Sequence, residues 1–168
     1  VFEGCSKLIV YGKRGSAIER YMANNYHNDY NYLPFVADDA VTGTYDSPYG
    51  GWFIYTIVNE EVTIIKASKS IVAVIPDEIE GYPVTSIGDY AFANSPLDEL
   101  TIPKNVTYIG ESAFYGCAIR WMNLPEGLTS IGDYAFADCF SLGLEDGADG
   151  TVYIPDSVTS IGKYAFRY

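Results

Sequence analysis

The sequence contains one histidine, His27, and three cysteines, Cys5, Cys117 and Cys139, so any imidazole-activated nucleophile must be built around these few positions. His27 lies in the tyrosine- and asparagine-rich stretch NNYHNDYNYL, which has no packing pattern to hold an imidazole against a serine or cysteine. The cysteines are odd in number and form no CxxC pair, which argues against both a zinc cluster and a disulfide framework. Carboxylates are numerous but scattered through turns, where they serve as solvated faces and caps rather than as a paired acid and base. The densest acidic run is Gly143 to Gly150, GLEDGADG, with Glu145, Asp146 and Asp149 as its candidate calcium ligands. Their spacing differs from an EF-hand loop, and a β-turn excursion accounts for the glycines equally well. No catalytic residue and no cofactor is expected.

Recognition without bond-making is the chemistry left, and it depends on which side chains face out. Four apolar-Pro steps, Ile75-Pro76, Ile102-Pro103, Leu124-Pro125 and Ile154-Pro155, each end a short run of strand character. In Leu97 to Pro103, Leu97, Leu100 and Ile102 point inward while Glu99 and Thr101 point outward, the alternation of a strand. The same count back from each proline puts Val72 and Val74, Trp121 and Asn123, and Thr151 and Tyr153 on the outer face. The partner-binding candidates are therefore Trp121, Tyr153, Glu99, Thr101, Asn123 and Thr151. Aromatic faces beside polar groups suit protein or glycan partners. Trp121 either stands free in this way, or folds down over the neighbours of Met122 or sits beneath the acidic loop.

These positions belong to a repeat. Ile-Gly-x-x-Ala-Phe occurs at Ile87 to Phe92, Ile109 to Phe114, Ile131 to Phe136 and Ile161 to Phe166, at spacings of 22, 22 and 30 residues. A period in the low twenties is too short for a helical hairpin and fits coils of one strand and a turn. Such coils stack, placing the strands Ile71 to Ile75, Leu97 to Ile102, Ile119 to Leu124 and Gly150 to Ile154 in a parallel ladder about 4.8 Å apart. Phe92, Phe114, Phe136 and Phe166 share a phase and should form an internal aromatic column, with Ala91, Ala113, Ala135 and Ala165 leaving room for the next turn. Gly88, Gly110, Gly132 and Gly162 are expected at a turn of positive φ. Cys5, Cys117 and Cys139 share the slot just after Ala-Phe-x-x that Ser95 fills once, which predicts reduced, buried thiols. Tyr90, Tyr134 and Tyr164 form a second, half-buried series that Ser112 interrupts.

The segments "IPDSVTSIGKYAF" and "LPEGLTSIGDYAFADC" resemble the BspA-like leucine-rich repeats of bacterial surface proteins, and the resemblance covers Ile71 to Tyr168. Val1 to Cys5 matches the phase of Ala113 to Cys117, which reads as the tail of a preceding array. Ser16-Ala17-Ile18-Glu19 has the form of a capping box opening a helix to about Asn25. In the resembling family, a segment like YGKRGSAIERYMANN…YLPFV terminates an array. The expected organisation is a half-coil with a short capping helix and strand at 1–37, a linker rich in Asp, Gly and Thr at 38–51, and a second array at 52–168. Trp52 to Val58 and Glu61 to Lys66, joined at Asn59 and Glu60, form a β-hairpin cap on that second array.

Ten basic and 22 acidic residues give a net charge of −12, which repels nucleic acid and anionic lipid surfaces. No run approaches the length of a membrane-spanning apolar helix, so no membrane insertion is expected in this segment. What the resemblance implies is a non-enzymatic binding or adhesion module, exported to a bacterial cell surface, with protein or glycan partners. The second expectation is a structural spacer, or a segment that associates head to tail with its own copies.

Overall fold

The computed structural model describes residues 10–12, 35–37, 40–142 and 151–167. Among them there is no helix. The capping helix expected near residues 16–25 lies outside the described residues, as do the half-coil at Val1 to Cys5, His27 and the acidic run 143–150. β1 (Val10–Gly12) and β2 (Phe35–Ala37) form a parallel pair.

A three-stranded antiparallel unit opens the main body: β3 (Val41–Asp46), β4 (Trp52–Val58) and β5 (Glu61–Ala67). The β4–β5 turn is Asn59-Glu60, with φ of 51° and 65°, the two left-handed residues of a tight hairpin. β3 corrects the sequence reading, which left 38–51 without a strand. All six residues of β3 pair with β4. Its run Val-Thr-Gly-Thr-Tyr-Asp has little apolar alternation because an edge strand contributes little to the core. Tyr45, which does contribute, stacks on Phe53 at 6.2 Å.

The solenoid follows, with β6 (Val72–Val74), β7 (Glu78–Ile79), β8 (Tyr82–Ile87), β9 (Glu99–Thr101), β10 (Tyr108–Ile109), β11 (Ser130–Ile131) and β12 (Ser160–Ile161). β5 joins β8 in parallel, and the order continues β8-β10-β11-β12, so the hairpin unit covers the first coil through the main sheet itself. β7 pairs with β8 off this path.

The longest ladder is thus the Ser-Ile step, or Tyr-Ile at β10, that precedes each glycine, where a turn was expected. The ladder expected before each proline is shorter: β6 pairs with β9, one bridge links Glu99 to Trp121, and 151–155 forms no strand. A coil of 22 residues must fold back on itself, which gives it a second flat side. In the sequence, 151–155 follows the eight extra residues 143–150, while β12 keeps its parallel pairing with β11.

Between the two sides lies the core. Rings follow one another from Phe53 through Phe92, Phe114 and Phe136 to Phe166, with successive centroids 5.9, 5.0, 5.2 and 5.3 Å apart; Phe53 is tilted 57° to Phe92 and the rest are stacked. The aromatic column expected from the repeat phase is present, and Phe53 and Tyr45 extend it into the cap. Backbone hydrogen bonds lock the coils in both directions. Gly110 N donates back to Ile87 O and Gly132 N to Ile109 O, while Phe92 N donates forward to Ala113 O and Phe114 N to Ala135 O, each at 2.8 Å.

The repeat glycines need a different explanation from the one expected. Gly88, Gly110, Gly132 and Gly162 do not have positive φ. They are required because coils touch there: a Cβ on Gly132 would lie 2.6 Å from Glu111 N and 2.6 Å from Gly110 C. Positive φ falls instead on Tyr90, Ser112, Tyr134 and Tyr164, and again on Asn94, Gly116 and Asp138. The second set has residue types that tolerate the left-handed region.

Candidate interaction face

The proline side of the coils carries the side chains that are least committed to packing. Leu97, Leu100 and Ile102 are buried, as are Ile119, Met122 and Leu124, so the residues between them are driven outward. Val72 pairs with Glu99 and Val74 with Thr101, and Glu99 is bridged in parallel to Trp121. These contacts set one row, Val72, Glu99 and Trp121, across three successive coils, with Val74, Thr101 and Asn123 beside it.

Glu99, Thr101, Trp121, Asn123, Thr151 and Tyr153 are all exposed, while Val72 and Val74 are half-buried. Trp121 is 54% exposed and Tyr153 60%. Trp121 therefore stands in solvent rather than folded onto the core. The structure brings Glu99 and Trp121 together through backbone pairing. Thr151 and Tyr153 share the repeat phase of Trp121 and Asn123, but among the described residues no strand pairing ties 151–155 to 119–124.

An ion pair that the sequence reading missed flanks this row. Arg120 donates from Nε to Asp98 Oδ1 at 2.5 Å and from a terminal nitrogen to Oδ2 at 2.7 Å. The Arg120 hydrogen bond holds the Asp98 carboxyl below its usual range, and the nearby positive charge adds to the effect. Opposite charges at the same phase of adjacent coils were the available signal. Two exposed apolar residues were missed too. Phe140, 72% exposed, fills the slot after Cys139 that holds Pro96 and Ala118 in earlier coils. Ile71, 61% exposed, sits at the start of its run.

The remaining candidates have structural surroundings or lie outside the described residues. Cys117 and Cys139 are buried and free; their thiols donate to Phe92 O and Phe114 O, each at 3.1 Å. Burial pushes Cys117 up to about 12 and Cys139 up to about 11, so both stay protonated and unreactive at neutral pH. Ser95, in the same slot, donates to Ser70 O at 3.2 Å. Tyr90 is buried with its hydroxyl on Glu111 at 3.0 Å, and Tyr134 and Tyr164 pack with centroids 5.3 Å apart. Glu145, Asp146, Asp149, His27 and Cys5 lie outside the described residues.

Residues 85–168 match the model of the BspA type leucine rich repeat region in six copies. A leucine rich repeat protein of T. pallidum is similar at 30% identity and a TM-score of 0.58, over 68% of this chain and 64% of that one. One from Bacteroides capillosus ATCC 29799 shares 30% identity at a TM-score of 0.57, over 65% of this chain and 82% of its own. A leucine rich cell surface protein from Faecalibacterium prausnitzii A2-165 shares the fold, with 23% identity, a TM-score of 0.60, and 81% of this chain matched to 33% of that one. The chain thus spans about two thirds of the first of these relatives and a third of the last. No curated protein matches it. No helix among the described residues is long and apolar enough to cross a membrane.

Proposed function

The chain belongs to the BspA-type leucine-rich-repeat family, and from that premise we propose that it is a non-enzymatic binding module, presenting the proline side of its coils to a partner on a bacterial surface. The observation that carries this reading is the exposure of Trp121, 54%, on a segment whose apolar residues Ile119, Met122 and Leu124 are buried. Leaving an indole in water sacrifices burial of a large apolar side chain, a cost recovered when a partner covers it. A stacked array supports such a surface rigidly, because each coil is held by backbone bonds to both neighbours. Display on a bacterial surface accords with the similar Faecalibacterium protein, itself a leucine rich cell surface protein.

The test is a panel of immobilised host proteins and glycans probed with the full chain and with Trp121→Ala. A ligand whose signal falls in the variant, with the unfolding midpoint unchanged, supports the reading. Ligands bound equally by both forms, or no ligand at all, would refute it.

A further inference from the structure

Glu99 and Trp121 are bridged residues on adjacent coils, so their Cα atoms are about 4.8 Å apart and both side chains are exposed. The cation nearest in sequence, Arg120, is engaged by Asp98 through two hydrogen bonds, and that pair neutralises itself. Among the described residues no basic side chain is paired with Glu99. An exposed carboxylate thus stands beside an exposed indole on a chain of net charge −12.

Resting on the binding reading above, we infer that Glu99 and Trp121 together receive a lysine or arginine side chain from a partner polypeptide. The two groups act on one cation in complementary ways. The indole face attracts it through the ring quadrupole, and the carboxylate accepts its N–H in a charge-assisted bond. Thr101 and Asn123, two residues further along the same coils and also exposed, offer a hydroxyl and an amide to the flanking peptide backbone. The half-buried Val72 supplies an apolar step on the far side of Glu99 for the aliphatic stem of the incoming side chain. An acidic sugar is disfavoured, because the one arginine nearby is already committed to Asp98. The net charge attracts a cationic partner to the chain as a whole, with Glu99 the unneutralised carboxylate of this row, and gives a neutral sugar no such assistance.

The experiment measures fluorescence anisotropy of a labelled hexa-arginine peptide with the full chain, against hexa-citrulline, which keeps the shape and removes the charge. Binding of hexa-arginine is expected to exceed that of hexa-citrulline at least roughly ten-fold, and to weaken with salt. Trp121→Ala should weaken it about two- to five-fold, with Trp121→Phe retaining part of the affinity. Glu99→Gln should weaken it by a similar factor. Glu60→Gln, the same charge change at the exposed β4–β5 turn, should leave it unaltered. Equal losses in Glu99→Gln and Glu60→Gln, or equal binding of both peptides, would overturn the inference. If the immobilised panel yields a neutral glycan whose binding needs Trp121 while hexa-arginine ignores it, the cation site falls and the binding reading stands. If no ligand depends on Trp121, both fall.

Discussion

Replacing Gly132 by alanine, beside the same change at Gly127, separates the two explanations for glycine in these coils. Neither residue has positive φ, so backbone strain is the same for both and the loss of unfolded-state freedom is shared. At Gly127 the added methyl meets only Lys104 O, at 3.7 Å, an ordinary contact. At Gly132 it meets Glu111 N at 2.6 Å, Gly110 C at 2.6 Å and Gly110 O at 2.8 Å, all of them backbone of the neighbouring coil. No rotamer change can relieve that clash; the coils must separate, stretching the 2.8 Å bond from Gly132 N to Ile109 O. Overpacking of this kind costs about 1–3 kcal/mol, while Gly→Ala at a compatible site stabilises by about 0.4–1 kcal/mol. The unfolded-state gain is common to both, so Gly127→Ala should be stabilised while Gly132→Ala falls below it by the clash alone, about 1–3 kcal/mol, or roughly 2–12 °C in Tm for a chain of this size. Urea unfolding followed by far-ultraviolet circular dichroism reads both. Equal midpoints for the two variants would refute the close-approach explanation.

The aromatic column makes a second demand. Phe114 is fully buried between two stacked rings, so Phe114→Ala should cost about 3–5 kcal/mol. Phe166 is half-buried with one ring neighbour in the column, and Phe166→Ala should cost clearly less in the same urea titration; equal costs would contradict a continuous column. The cysteines set an alkaline limit. Their folded values, about 12 and about 11, lie above the ordinary 9.0, so the folded state holds these protons more tightly. Their contribution to stability is complete below pH 9, begins to fall above it, and continues falling through about 11 and 12. A Cys117→Ala, Cys139→Ala double variant should lose less stability between pH 9 and 11 than the wild type does, and an identical loss would count against the assignment.

Side chains that repeat at a fixed phase were legible because burial between coils leaves a periodic trace. The ring column from Phe92 to Phe166 follows from four Ala-Phe steps, and the β4–β5 turn from Asn59-Glu60 between two β-rich runs. The main ladder escaped notice since each coil commits only two residues to it, such as Ser130-Ile131, and two residues cannot show alternation. β3 escaped for the opposite reason: it is long enough, but as an edge strand it needs few apolar residues. The glycine error has a different physical origin. Glycine after a strand suggests positive φ when read locally, whereas the contact that selects Gly132 comes from Gly110 and Glu111, a full coil earlier. The left-handed turn was written elsewhere, in the Asn94, Gly116 and Asp138 series. Of the candidate face, outward direction could be read from the count back to proline. The Asp98–Arg120 pair had a trace as well, opposite charges five residues before successive prolines, which a search for catalytic or binding side chains passed over.

Comparison of the coils with one another locates where the fold leaves residue choice open. The Ile-Gly-x-x-Ala-Phe positions are identical in all four copies, and the structure uses them for contacts between coils: glycine for close approach, phenylalanine for the column, backbone for bonds in both directions. The phase four residues before each proline holds Val72, Glu99, Trp121 and Thr151, four different chemistries at one repeat phase, the first three of them linked across successive coils. A position that packed against its equivalent in the next coil would pay for such variety in voids or clashes, as the glycines would. Exposure removes that constraint, so this row can change its side chains without disturbing the stacking that supports it. On the proposed binding reading, stability and recognition rest on different residues of the same coil, which is why Trp121→Ala should alter a ligand's affinity and leave the unfolding curve where it was.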